Sequence, residues 1–311
     1  MYATMNDICR TTLCLLCLTT LATSCSSVRV PMPDTDVFLA DFDAAAGSVQ
    51  NVRNISARPG YDNQPSFAVG DSVVLYVSNR SGSTDVYRYE LLTGSTVRVT
   101  STPDQEFSPT MMTDGRSFSA VRVRKPDASG EDYTNSQQLW RYDLTGRPVS
   151  PVVGINRIGY HCWLGGNTAA LFIVGNEDLK QPHKLVLYDL ISRTSSTVST
   201  AIGRSLQQMP DGRLSFVNNS DTTAGVLSAV SPSGAGIAPL VTMPSGSEDV
   251  CWMPDGTALT VSNAAILRWK APMKDWERVC EIPGVPGMVS RLRSNADGSR
   301  IVFVVRPLPQ R

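Results

Sequence analysis

The chain has 311 residues, and its 28 Lys and Arg balance its 28 Asp and Glu, for a formal net charge of zero. A balanced surface excludes the basic face that general nucleic-acid binding requires, so partners must be chosen by local shape and chemistry. Charged residues are 18% of the chain, below the usual share of about a quarter, and Gly, Ser, Thr and Val are abundant, a composition of strands and turns rather than helices.

Residues 1–24 read as an export signal. Arg10 precedes the short apolar run TTLCLLCLTTLATS (residues 11–24), which ends in small residues. The run is too short to cross a bilayer comfortably and suits the apolar region of a signal peptide. It leads into Ala22-Thr23-Ser24-Cys25, followed by Ser26 and Ser27. This resembles the lipobox of bacterial lipoproteins, with Ala22 where that family usually carries Leu and Leu21 one step earlier. The resemblance implies cleavage before Cys25 and its acylation, and more than one acyl chain on one cysteine gives an anchoring that a single chain does not. Ser26, in place of the Asp that marks inner-membrane retention in such lipoproteins, implies the outer membrane, with the protein facing the periplasm. Residues 25–35 are polar and Pro-containing and read as a tether, so membrane contact is expected through the lipid alone.

Residues 36–307 read as one repeating domain. The first segment, VFLADFDAAAGSVQNV (37–52), holds two strand-like runs with no pair before them. Six tight-turn signals follow: Gly70-Asp71, Thr113-Asp114-Gly115, Gly165-Gly166-Asn167, Pro210-Asp211-Gly212, Pro254-Asp255-Gly256 and Ala296-Asp297-Gly298. From Asp71 through Asp114, Gly166, Asp211 and Asp255 to Asp297 the spacings are 43, 52, 45, 44 and 42 residues, the period of a four-stranded propeller blade. Short segments such as PSFAV, SPTMM and DVCWM precede the turns, and apolar, β-branched runs such as SVVLYVS, AALFIV and RIVFVV follow them. A third run (DVYRYELLTG, QLWRYDLTG, LVLYDLIS) and a fourth (VRVT, VSPVV, STVST) complete each unit as antiparallel hairpins.

The last unit, residues 287–307, has only a first and a second strand. Joined to the opening segment it makes a sixth blade, and a ring closed by strands from both ends leaves no edge to template aggregation. The expected fold is an all-β, six-bladed β-propeller whose last blade is closed by both termini. A pair of β-sandwich domains is the alternative, since sandwiches also space strands between regular turns.

The repeat resembles that of TolB-like propellers, in which a P-x-F-S-P-D-G signature precedes D-I-Y-x-x-D-L-x-x-G. Its nearest copies here are Gln64-Pro65-Ser66-Phe67 with Asp85-Val86-Tyr87-Arg88-Tyr89, and Phe107-Ser108-Pro109 with Asp114-Gly115 and Leu139-Trp140-Arg141-Tyr142-Asp143-Leu144. The resemblance implies a cell-envelope scaffold that binds a protein or peptide, as a monomer, without a cofactor or catalytic residues of its own.

Chemical signatures are sparse. There is no G-x-S-x-G elbow of the kind that serves the hydrolase domain of propeller-capped peptidases. Only His161 and His183 are present, too few for the histidine cluster that resemblance to oligogalacturonate lyases would require, and His161 is expected as a satisfied residue of an innermost strand. The acids Asp127, Glu131, Asp132, Glu177 and Asp178 could serve carbohydrate chemistry only if two faced each other across a cleft. A polysaccharide-binding or carbohydrate-active propeller with carboxylates in its central channel is therefore the second functional reading. The turn aspartates are explained by turn geometry. Cys162, Cys251 and Cys280 are expected as free, buried thiols, because inner and outer strands of one blade lie beyond disulfide reach.

The longer connections, 53–64, 79–85, 124–138, 175–184 and 218–226, belong to one face of such a ring. Rigid scaffolds carry function on such loops, and the longest supplies the candidate partner contacts Lys125, Asp127, Glu131, Asp132 and Tyr133. Arg88, Arg141 and Arg268 recur in third strands and are expected to face solvent or a neighbouring blade.

Overall fold

The computed structural model describes residues 32–68, 70–80, 82–124, 133–220 and 224–308, with only the backbone of Tyr133 and Thr134. Its strands form six four-stranded antiparallel sheets. Blade 1 is β3 (Asp62–Ala68), β4 (Val73–Asn79), β5 (Thr84–Glu90) and β6 (Thr96–Arg98). Blade 2 is β7 (Gln105–Met111), β8 (Ser117–Val123), β9 (Gln138–Asp143) and β10 (Pro148–Pro151). Blade 3 is β11 (Ile158–Trp163), β12 (Thr168–Ile173), β13 (Lys184–Asp189) and β14 (Ser195–Thr200). Blade 4 is β15 (Ile202–Gln208), β16 (Leu214–Asn218), β17 (Val226–Val230) and β18 (Ala238–Thr242). Blade 5 is β19 (Val250–Trp252), β20 (Ala258–Ser262), β21 (Ala265–Trp269) and β22 (Glu277–Glu281). Blade 6 takes β23 (Gly287–Ser294) and β24 (Arg300–Pro307) from one end of the chain and β1 (Asp36–Asp43) and β2 (Ser48–Asn54) from the other. This is the six-bladed β-propeller.

The closure of blade 6 is continuous. β1 pairs with β24 from Asp36 opposite Val305 to Asp41 opposite Arg300, and Phe38 stacks on Phe303 with ring centroids 5.8 Å apart. The chain is held to the ring just before β1 as well: Gly60 N–H donates to Asp34 Oδ1 at 2.6 Å, and Thr35 bridges Tyr61.

Burial follows strand position within a blade. The second strands are the apolar runs of the sequence, and they are buried on both faces, as in β4 and β24. The fourth strands are mostly solvated, as in β10. Six apolar clusters fill the six wedges between neighbouring blades. Blades 3 and 4, for example, share Phe172, Leu185, Leu206 and Phe216. Blades 5 and 6 share Leu259, Ile266, Phe38 and Phe303, and blades 6 and 1 share Val37, Val302, Val74 and Tyr76. Each fully buried large side chain contributes about 1.5–3 kcal/mol by leaving water. The wedge on either side of blade 6 is as apolar as the others, so the ring is sealed all round.

The aspartates of the tight turns accept backbone hydrogen bonds, as Asp114 Oδ1 does from Arg116 N and Ser117 N at 2.9 and 3.0 Å. The following Gly115 sits at φ 62°, a conformation open to glycine without penalty.

Cys162, Cys251 and Cys280 are free. Cys162 and Cys251 lie buried in the innermost strands β11 and β19, and burial raises both thiols to about 12. The expectation of three buried thiols is corrected at Cys280: it stands in the outermost strand β22 and is only partly buried, because that strand has no further strand beyond it.

Candidate functional site

The six innermost strands surround a central channel. In such a ring the fourth-to-first and second-to-third connections share one face, and the first-to-second and third-to-fourth turns share the other. Five innermost strands break register with their partners, including β3 between Asn63 and Ser66, β7 between Phe107 and Thr110, and β23 between Ser290 and Arg293. Such bulges re-aim side chains. In these three strands the bulge holds a non-glycine residue at positive φ: Gln64 at 53°, Ser108 at 52° and Arg291 at 55°. All three line the same cavity of about 50 Å³ in the middle of the channel, with Tyr160, His161, Arg204 and Arg293.

Toward the face with the longer connections, the channel widens into a cleft of about 360 Å³ lined by Asn63, Arg204, Glu248, Asp249, Met288, Arg291 and Arg306, among others. Arg204 and Arg291 belong to both spaces. Their charges are arranged by one acid. Arg204 grips Asp249 with two hydrogen bonds, Nε to Oδ1 at 3.1 Å and Nη2 to Oδ2 at 2.7 Å, and its Nη1 reaches Glu248 at 2.6 Å. Arg291 donates its backbone N–H to Asp249 Oδ2 at 2.9 Å, and its Nη2 donates to Tyr160 Oη at 3.0 Å. Burial would push the Asp249 carboxyl upward, but the Arg204 charge and hydrogen bonds, with help from Arg291, hold it at about 2. Burial likewise raises the nearby Tyr61 phenol to about 12, which keeps it protonated.

Arg293 is differently placed. Its Nη1 donates to the carbonyl of Leu292 at 3.1 Å, and among the described residues no carboxylate lies within ion-pair distance of it or of the Arg291 guanidinium. Burial lowers the Arg293 pKa from its ordinary value.

His161 lies in β11, buried as expected. Its Nε2 is 2.7 Å from Ser119 Oγ, which also accepts from Trp163 Nε1 at 3.0 Å. Burial depresses its pKa to about 3, so the ring is neutral near pH 7. The expectation that it is fully satisfied is corrected: Nδ1 is buried without a hydrogen-bond partner, on the lining of the cavity that Ser108 and Thr110 share, and no donor or acceptor is brought to it by the neighbouring strand. His183 is satisfied by the backbone N–H of Gly175 at 2.9 Å.

The second functional reading needs acids at the channel, and of its candidates Asp127, Glu131 and Asp132 lie outside the described residues. The acids at the channel, Asp249 and Glu248, are both held by Arg204, and Glu177 and Asp178 are exposed on a loop away from it. Among the described residues no group of three or more His, Cys, Asp and Glu side chains is placed to hold a metal ion. Arg88, Arg141 and Arg268 form surface pairs with Glu90, Asp114 and Glu277 at 3.0, 2.7 and 3.3 Å. Cys25, Lys125, Asp127, Glu131 and Asp132 lie outside the described residues, and Tyr133 opens a 3₁₀ turn ending at Ser136.

Sequence reasoning missed Arg204, Asp249, Arg291 and Arg293. A signal for two of them was present: Ser290-Arg291-Leu292-Arg293 alternates charge and apolarity in a first strand, where one side chain in two faces the channel. Arg204 and Asp249, 45 residues apart, stand at the entries to neighbouring first strands, but only the fold makes them partners.

No family model and no curated protein matches the sequence. Solved structures do. A protein assigned as TolB from Agrobacterium tumefaciens superposes with a TM-score of 0.65 at 14% identity, over 89% of this chain and 99% of that one. A gluconolactonase from Xanthomonas campestris gives 0.60 at 11% identity, over 90% and 99%. An oligogalacturonate lyase in complex with manganese gives 0.55 at 15% identity, over 83% and 80%. At such identities the likeness shows the fold, that of the TolB-like six-bladed propeller.

Proposed function

We propose that this chain is an exported envelope lipoprotein, released from a signal peptide at residues 1–24, acylated at Cys25 and tethered by residues 25–35, whose propeller docks a protein or peptide partner. It acts as a scaffold and catalyses no reaction of its own. The observation that carries the reading is the asymmetry of the ring: the longest connections and the wide mouth of the channel open on one face. That mouth combines Met288, 62% exposed, with Arg306 and the Arg204–Asp249–Arg291 set. An apolar side chain beside forked charged donors is a recurrent composition of protein-binding centres. The likeness to TolB agrees with an envelope setting, and the connection 124–137 would add Lys125, Asp127, Glu131, Asp132 and Tyr133 as rim contacts.

The test is affinity capture from solubilised envelopes with three baits: the full chain, a variant with residues 125–135 shortened to a tight turn, and Met288→Asp. A partner held by the full chain and lost from both variants, at unchanged melting temperature, supports the reading. The same proteins captured by all three baits would contradict it.

A further inference from the structure

The ring centre holds more positive charge than its own acids neutralise. Arg204, Arg291 and Arg293 line the channel, and Arg306 joins Asp249 and Glu248 at its mouth; four positive charges less two negative ones leave a surplus of two. Arg204 absorbs both acids. The unspent buried charge is on Arg291 and Arg293, whose described guanidinium hydrogen bonds go only to neutral oxygens, Tyr160 Oη and the Leu292 carbonyl. Asp249 acts on both only from beyond ion-pair distance, and a buried charge without a direct partner is costly to hold.

Two further polar atoms in the same cavity lack partners. Ser108 Oγ and His161 Nδ1 are both buried and unpaired, and both residues line the channel with the arginines. The His161 tautomer follows from its surroundings. Ser119 Oγ has one proton to give, and its 2.7 Å contact with His161 Nε2 is shorter than its 3.2 Å contact with the Thr110 carbonyl. Assigning the proton to the shorter contact makes Nε2 the acceptor and leaves the hydrogen on Nδ1. The cavity therefore offers two guanidinium forks, one imidazole N–H and one hydroxyl, all able to donate. Three of the lining residues, Gln64, Ser108 and Arg291, are held at positive φ, at 53°, 52° and 55°, a strain that persists where surrounding structure enforces it and that clusters at ligand sites.

We propose that the central channel binds a carboxylate, seated on Arg291 and Arg293 with Ser108 and His161 as neutral donors. The net positive charge of the site favours an anion. Its planar pair of oxygens matches a guanidinium fork, and a cavity of about 50 Å³ takes such a head group while the rest of the molecule extends into the mouth. The carboxylate can belong to a free small acid or to the C-terminus of a peptide. The inference does not depend on the partner reading, because a small acid alone tests it.

Titration calorimetry on the folded, unacylated chain would use D-glucuronate against D-glucose, and an alanine tripeptide with a free C-terminus against its C-terminal amide. Sodium sulfate serves as the generic anion. The expected result is binding of at least one carboxylate and of neither neutral analogue, weakened tenfold or more in Arg293→Met and about threefold in Ser108→Ala. Arg293→Met is also expected to melt no lower than the parent chain in buffer, since it removes an unpaired buried charge. Preference for glucuronate or for the free-ended peptide identifies the source. Equal heats for acid and neutral analogue, carboxylate binding unchanged in Arg293→Met or Ser108→Ala, or sulfate bound as tightly as the carboxylates would each overturn the proposal.

Discussion

His161 shows how an environment converts a common residue into a specific one. In solution its ring would be half charged near pH 6.5, but inside β11 burial brings that point to about 3. The folded state thus holds fewer protons than the unfolded one between these two values. Its contribution to stability is complete above about pH 6.5 and is lost as pH falls toward 3, with a slope of up to about 1.4 kcal/mol per pH unit. Asp249, held at about 2, loses its contribution only below its unfolded value near 4, and the carboxyls of Asp62 and Glu106, raised by burial, act with the opposite sign, so the share of the histidine is the difference between the parent and a His161 variant. Urea denaturation of the parent chain and of His161→Gln between pH 7 and 4.5 should show a steeper loss for the parent. Parallel curves would mean that the ring is not neutral in the folded state. The sequence marked His161 as an innermost-strand residue by its place before a tight turn. It could not show the unpartnered Nδ1, which depends on what the other blades bring against the ring.

Among the elements, the strands were the most legible part of this chain. Runs such as SVVLYVS and RIVFVV are apolar on both faces because second strands lie between two neighbouring blades, and they became β4 and β24, the latter beginning at Arg300. The split last blade could be read from a first segment with no preceding pair. The bulges were not legible: their residues, Gln64, Ser108 and Arg291, carry no glycine to announce a positive φ, and they distort strands whose local propensity is ordinary. Because β1 and β24 seal the ring, their contact should carry a large stabilisation. Phe303, fully buried against Phe38, is expected to cost about 3–5 kcal/mol on replacement by Ala. Val97→Ala, in the exposed outer strand β6, should cost less than about 0.5 kcal/mol. Similar costs for both in chemical denaturation would mean that the terminal strands contribute no more than a surface strand.

At the scale of the whole molecule, the ring explains why the site escaped the sequence. A propeller brings one short segment from every blade to a common axis, so Tyr160 and Arg291, 131 residues apart, share a hydrogen bond. Composition reports only that charges balance overall, and here the neutral total conceals an axis with surplus positive charge. The long connections were readable as loops on one face because antiparallel order dictates it. That the channel mouth on this face gathers Arg204, Arg291 and Arg306 around Glu248 and Asp249 became visible only with the strands in place.

The most direct test of the account is nuclear magnetic resonance of the folded chain carrying ¹⁵N-labelled arginine, followed at the side-chain Nε–Hε signals during titration with D-glucuronate at constant ionic strength. Saturable shifts are expected in the signals of Arg291 and Arg293, assigned by their loss in Arg291→Lys and Arg293→Lys, with the surface arginines Arg88, Arg141 and Arg268 unmoved. Shifts spread evenly over all the arginines, or none at Arg293, would contradict it.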